Sequence, residues 1–391
     1  MAQPGISQFY VTPLAPSPSQ PDGPATQRRY HYLDYHPPQG VPQRATILLL
    51  HGFPDFSRGW RNVVAPLQFS GYRLIVPDLL GYGLTSAPRS SPDASGQSRI
   101  AEYSGRSICA DLDGLLDHAK AGQGAEFGSH SCDSQGRNGR VIVVSHDWGG
   151  WLGWKTAQWI PHRIMGVASL CVPYQPPTSK PISMDQLIQG LPNFGYQKFF
   201  ADPRSTKIIE DNLERFFRIV YMIPGLFSGD GNIGSQAADW YREGQLEKLL
   251  TSPEFQKVDL SSIGKSLLDE AELQRYVSTF KSRGMEGPLT WYRTRPINYK
   301  DDQTFREKGL PATLPALLLQ PTDDVAVPPS MGKGMPKHVP AVRLVEINGS
   351  GHFAQNELPN VVVAEIKKWI DEAIIPSEKN GTWFQWIKSR L

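Results

Sequence analysis

Val141-Ile142-Val143-Val144-Ser145-His146-Asp147-Trp148-Gly149-Gly150-Trp151-Leu152-Gly153-Trp154 is the stretch whose reading decides the fold. The leading run of Val and Ile reads as a buried strand. The pattern after it, small-X-Asp-X-small-small, reads as a tight turn that runs into a helix. Small residues at such a junction let strand and helix approach closely around a strained turn, which exposes the side chain at its centre. That side chain is Asp147. Two further short stretches, His51-Gly52-Phe53-Pro54 and Gly351-His352, also lie beyond apolar runs, so three distant segments are expected to meet in one place.

An aspartate at the centre of the turn selects a reaction class. A carboxylate is ionised at neutral pH, with a reference pKa of about 4, and needs no base to become nucleophilic. Attack on an ester or amide would give a mixed anhydride, whereas attack on a saturated carbon bearing a leaving group gives an ordinary alkyl ester. Epoxides and alkyl halides fit that requirement. The ester must then be hydrolysed, which needs a base and a place for the charge that develops on its carbonyl oxygen. His352 is the expected base, and the backbone N–H groups of Phe53 and Trp148 are the expected oxyanion donors. The histidine needs an acid to orient it. Ala316-Leu317-Leu318-Leu319-Gln320 reads as a late core strand followed by Pro321-Thr322-Asp323-Asp324, and one of the two aspartates is the expected orienter. His146 reads as structural, and Asp78 as a turn residue at a strand end.

These motifs, taken together, resemble the epoxide hydrolases of the α/β-hydrolase superfamily, the soluble and microsomal-like group. The resemblance runs from about Arg29 to about Lys368, with an insertion near Gly122–Arg140. It is densest in His51-Gly52-Phe53-Pro54 with Trp60-Arg61, Gly71-Tyr72-Arg73, Pro77-Asp78, Gly81-Tyr82-Gly83, Ser86-Ala87-Pro88 and Ser145 to Gly150. It implies Asp324 as the acid, because Val325-Ala326-Val327-Pro328 continues as the family's segment does, and it implies substrate contact by His51 and Pro54. It also implies two lid tyrosines that bind the epoxide oxygen and protonate the departing alkoxide. Gly195-Tyr196-Gln197 and Trp291-Tyr292-Arg293 are similar to the segments that carry them, which points to Tyr196 and Tyr292; Tyr299 lacks the matching Trp before it. An alkoxide leaves far less readily than halide, so an acid of this kind has a chemical purpose. Haloalkane dehalogenases share the turn motif but usually place a side-chain donor, often Asn, where this chain has Phe53. Fluoroacetate dehalogenases carry Arg where this chain has Trp148. The expected activity is therefore an epoxide hydrolase. A hydrolytic dehalogenase and a non-catalytic ligand-binding relative of the same fold are the alternatives.

The expected architecture is an α/β-hydrolase fold, a mostly parallel sheet flanked by helices with an inserted helical lid. Apolar runs mark core strands at Thr46–Leu50, Tyr72–Val76, Val141–Val144, Met165–Val172, Ala316–Leu319 and Val342–Ile347, with helical patterns at Arg106–His118 and Val361–Ile375. Residues 1–25, rich in Pro, Gln and Ser, read as a mobile or surface-wrapped arm. The core is expected in residues 26–172 and 312–391, and the lid in 173–311, where the strand signal fades and helical periodicity appears at Asp211–Met222, Gly244–Leu250 and Ser262–Ser282. Gly122–Arg140 reads as an exposed loop. With 40 Lys+Arg against 38 Asp+Glu, the total charge points to no nucleic-acid partner. Cys109, Cys132 and Cys171 make neither an even framework nor a metal spacing, so no metal or cofactor is expected. The expected partners are a small epoxide and water, with a homodimer one option for assembly. No apolar run reaches transmembrane length. The ending Ser389-Arg390-Leu391 is a conservative variant of the peroxisomal SKL signal, so the expected location is cytoplasmic or peroxisomal.

Overall fold

The computed structural model describes residues 2–94, 96–122, 139–227, 233–259 and 264–375. The strands are β1 (Ile6–Val11), β2 (Arg29–Tyr35), β3 (Ala45–Leu50), β4 (Tyr72–Pro77), β5 (Val141–His146), β6 (Ile164–Leu170), β7 (Met222–Phe227), β8 (Gly264–Ser266), β9 (Ala316–Pro321) and β10 (Val342–Ile347). Among the described residues, eight of them form one sheet in the order β1-β2-β4-β3-β5-β6-β9-β10. β1 pairs antiparallel with β2, β2 pairs antiparallel with β4, and the neighbours from β4 through β10 pair in parallel. Every residue of β3, β4, β5 and β9 is buried, which is why those strands read as mostly apolar runs rather than as alternation. β10 closes the far edge, and its interior residues are only partly covered. Helices Arg61–Phe69, Trp148–Trp159 and Pro359–Trp369 pack on the sheet, and Gly105–His118 packs against Trp148–Trp159.

Two expectations needed correction. The presumed arm contains β1, which pairs with β2 from Ile6 opposite Asp34 to Val11 opposite Arg29. Its apolar side chains Ile6, Phe9 and Val11 point outward, so the usual alternation signal is missing, yet the Tyr10 ring reaches inward to fill the space over Gly114. The second correction concerns residues 173–311. That span is mainly helical but also holds the small antiparallel pair β7–β8. β8 occupies the start of the expected helix Ser262–Ser282, which begins instead at Glu270, where the Asp269 side chain caps it by accepting the Glu272 N–H. The expected loop at Gly122–Arg140, Cys132 within it, and the C-terminal tripeptide fall wholly or mostly outside the described residues.

The chain leaves the sheet after β6 and returns at β9, and the intervening helices lie across the strand ends. Phe53 follows β3, Asp147 follows β5, Asp324 follows β9 and His352 follows β10. All four therefore emerge at the carboxyl ends of parallel strands, the edge at which open α/β sheets bind ligands.

Candidate active site

Asp147 sits between β5 and helix Trp148–Trp159 with φ 53° and ψ −122°, a backbone region that L-residues rarely enter. The surrounding glycines make that turn sterically possible. A Cβ on Gly149 would lie 2.3 Å from the Leu50 carbonyl oxygen, and one on Gly52 would lie 2.4 Å from the Asp147 Cβ. With both clear, the Phe53 N–H donates to Asp147 Oδ1 at 2.7 Å.

His352 Nε2 lies 3.6 Å from Asp147 Oδ2, and its Nδ1 lies 2.8 Å from Asp324 Oδ2. Asp324 is buried, and its second oxygen accepts the N–H groups of Ala326 and Val327, each at 2.9 Å. Asp323 is exposed and takes the Thr322 hydroxyl instead, so Asp324 is the aspartate beside the histidine. Burial alone would raise Asp324, but the charge of His352 and its hydrogen bond hold the carboxyl below the ordinary range. Asp147 is lowered too: burial opposes ionisation, and His352 outweighs it by hydrogen bond and charge. Burial disfavours the imidazolium of His352, yet Asp324 above all, with Asp147 also contributing, raises it well above its ordinary value.

Asp147 and His352, with Asp324 behind the histidine, face an internal space of about 50 Å³ that is also lined by Phe53, Phe200, Trp240, Glu357 and the two tyrosines Tyr196 and Tyr292. Tyr196 opens helix Tyr196–Ala201, and its N–H donates to the Tyr241 carbonyl at 2.8 Å. Tyr292 lies in the turn Trp291–Arg293, anchored by the Trp291 indole N–H donating to the Leu80 carbonyl at 2.9 Å. The two tyrosine rings are 6.3 Å apart, and the Tyr292 ring meets the Trp148 ring edge-on at 5.1 Å. Burial, then the Asp147 carboxylate, raises Tyr196; burial, then Tyr196 and Asp147, raises Tyr292. Both are therefore phenols at neutral pH. Tyr299 is elsewhere, with its hydroxyl on the Ser179 carbonyl.

A profile of the alpha/beta hydrolase family matches residues 47–366. The chain belongs to the α/β-hydrolase family. Within it, this α/β-hydrolase is 32% identical over 357 residues to Epoxide hydrolase srdG of Neurospora crassa, covering 89% of this chain and 92% of that one. That similarity puts it among the epoxide hydrolases. It is 28% identical over 331 residues to Bifunctional epoxide hydrolase 2 of Mus musculus, covering 84% of this chain but 52% of the mouse protein. In fold it is similar to the crystal structure of Epoxide Hydrolase A from Mycobacterium thermoresistibile, with a TM-score of 0.66 at 24% identity over 88% of this chain and 95% of that one. No helix among the described residues of this α/β-hydrolase is long and apolar enough to cross a membrane.

His51 and Pro54 do not take the places expected for substrate contact. Neither lines the cavity. His51 is buried, its Nε2 accepts the Leu79 N–H at 2.9 Å, and its Nδ1 faces the Gly52 carbonyl at 2.9 Å. Burial lowers it to about 4, so it is a neutral brace for the Phe53 loop. The Pro54 carbonyl accepts the Tyr221 hydroxyl at 3.2 Å, and the peptide before it is cis. His146 is structural, as the sequence suggested: its Nε2 lies 2.9 Å from the His352 carbonyl, and burial lowers it to about 4. Asp78 takes His31 and the N–H groups of Ser57 and Leu84, which is a turn role.

Ligand atoms of His146, Cys171 and His352 lie within 4.8 Å of one another. His146 and the Cys171 thiol both face the His352 carbonyl, and His352 faces Asp324, so the three serve the histidine loop rather than an open metal site. Sequence reasoning missed Glu357. Its carboxylate accepts the N–H groups of Gly351 at 2.7 Å and Phe353 at 3.1 Å, which flank His352, and it lines the cavity. The available signal was an acid one turn beyond Gly351-His352 at the start of a helical run.

Proposed function

We propose that this α/β-hydrolase opens an epoxide to a vicinal diol through an ester on Asp147, without a cofactor. The observation that carries the reading is one cavity lined by Asp147, His352 and two buried phenols, with Asp324 hydrogen-bonded to the histidine from behind. Asp147 attacks an epoxide carbon, the ring C–O bond breaks, and Tyr196 and Tyr292 bind the departing oxygen while one of them gives it a proton. The product is a hydroxyalkyl ester of Asp147. The helices of residues 173–311 act as a lid that keeps bulk water from this intermediate.

Esterification changes the electrostatics of the base. In the resting enzyme two carboxylates favour the imidazolium of His352. Once Asp147 is a neutral ester, Asp324 alone remains, and the imidazolium gives its proton to the tyrosinate left by ring opening, which frees His352 to act as a base. It then takes a proton from water as the water attacks the ester carbonyl. The N–H groups of Phe53 and Trp148 hold the developing oxyanion. Collapse breaks the bond between the carbonyl carbon and the alkoxide oxygen, which takes the proton from His352. The second proton of the water is left on Asp147 and passes to His352, which restores the resting imidazolium and carboxylate. The new oxygen of the diol comes from the aspartate, and water replaces it there.

A single-turnover reaction with styrene oxide in H2(18)O tests this. Unlabelled first-cycle diol with label in the Asp147 peptide is the expected outcome. Label passing straight into the diol would overturn the ester, and halide release from a chloroalkane with no diol would select the dehalogenase instead.

A further inference from the structure

The loop that presents the Phe53 N–H is held by the inserted helices, beside the cavity. Its next two residues each accept a hydrogen bond from a tyrosine of the inserted helices. The Tyr221 hydroxyl, at the end of helix Leu213–Val220, donates to the Pro54 carbonyl at 3.2 Å. The Tyr276 hydroxyl, in helix Glu270–Arg283, donates to Asp55 Oδ1 at 2.7 Å. The same oxygen of Asp55 accepts the Phe56 N–H at 2.8 Å, and the Asp55 N–H closes the turn onto the Gly52 carbonyl at 3.1 Å. The Tyr221 ring also stacks on Phe353, the residue after His352, at 4.2 Å and 17°. One tyrosine thus touches both the oxyanion loop and the histidine loop.

The carboxyl at the centre of this contact is an expensive way to hold a fold together. Asp55 is buried, and burial pushes it up to about 6. Its Oδ2 has no hydrogen-bond partner among the described residues, and it sits so close to Gly59 that a Cβ there would lie 2.0 Å away. Packing alone is served better by an apolar side chain than by a buried acid whose charge is offset only by tyrosine hydroxyls, a backbone N–H and the more distant Arg61. A charged acceptor does offer a short, directional hydrogen bond. We propose that Tyr221 and Tyr276 are positioning residues that hold Pro54 and Asp55 so that the Phe53 N–H stays aimed at Asp147. The inference rests on the reading of that N–H as the oxyanion donor. Ester formation uses the Asp147 oxygen directed at the substrate and depends little on this donor. Ester hydrolysis places negative charge against it, and a small displacement there costs rate.

The test is rapid-quench kinetics with styrene oxide, with intact-protein mass spectrometry of the ester fraction, on wild type, Tyr276→Phe, Tyr221→Phe, Asp55→Asn and Asp55→Ala. The expected result is that both tyrosine variants slow ester hydrolysis by about tenfold while ester formation changes by less than about twofold, so ester accumulates. Asp55→Asn keeps an acceptor for Tyr276 and stays nearer wild type than Asp55→Ala. Tyr221→Phe keeps its ring on Phe353 and carries the test if Tyr276→Phe does not fold. Hydrolysis unchanged in both tyrosine variants, or both steps slowed in equal proportion, overturns the positioning role while leaving the ester mechanism standing. A wild-type protein that forms diol without any ester overturns both.

Discussion

Along the sheet's carboxyl edge, Asp147, Asp324 and His352 are ionisable groups on loops that leave strands, each fixed by backbone N–H donors or by one another. Across the cavity, Tyr196 and Tyr292 are neutral phenols on helices and helical turns, fixed by aromatic packing and by their backbones. The contrast follows from what each region can satisfy. Strand-end loops present many free N–H groups, so they can hold a buried carboxylate in its charged form. Packed helices have spent their backbone donors internally, and they contribute groups that need not ionise. Charge is thus kept on the strand-end loops, and the two helical tyrosines contribute only dipoles.

Substitutions can break this division one side at a time. Asp147→Ala removes the proposed nucleophile, and turnover with an epoxide is expected to fall by on the order of 10⁴-fold or more, with no ester detectable by mass spectrometry. His352→Gln keeps the proposed nucleophile and removes the proposed base; ester formation is expected to persist while hydrolysis falls by about 10³-fold, which traps the covalent species. A His352→Gln protein with normal turnover would remove the histidine from the scheme. On the helical side, Tyr196→Phe or Tyr292→Phe each deletes one hydroxyl from the ring-opening step. Single-turnover ester formation should slow by about 10²-fold, while hydrolysis of ester already formed stays within about twofold. Slowing confined to hydrolysis would reverse the assignment of roles between the two regions.

The smallest expected effect is on stability. The raised pKa of His352 means that its contribution is fully present below its unfolded value of about 6.5 and is lost as pH rises through the folded value. Asp324 is depressed, so its contribution is present above about 3.9 and is lost as pH falls through its folded value. The melting temperature of wild type should therefore exceed that of His352→Gln by a few degrees near pH 6, and the gap should narrow in alkaline buffer. A gap that is constant across this range would show that the pair contributes packing rather than charge.

Much of this arrangement was legible in the chain because the decisive strands are buried on both faces. β3, β5 and β9 are buried along their length and mostly apolar, and the functional loops follow them immediately. Edges were harder to read. β1 turns Ile6, Phe9 and Val11 outward, and a Pro- and Ser-rich neighbourhood hides its pairing. The choice between Asp323 and Asp324 turns on side-chain direction, which adjacent identical residues do not encode. His51 and Pro54 belong to a motif beside the cavity without reaching it, so motif membership overstated their contact. Tyr221, Tyr276 and Asp55 were overlooked because their relation exists only across more than a hundred and fifty residues of sequence separation.

The left-handed backbone at Asp147 has a consequence for how such a chain can change over generations. Glycine adopts that conformation without penalty, and any other residue there stores strain. Thermal robustness and chemistry therefore pull in opposite directions at this one codon. A lineage selected only to survive heat would be drawn to surrender its nucleophile early, and keep a well-folded shell with an idle cleft.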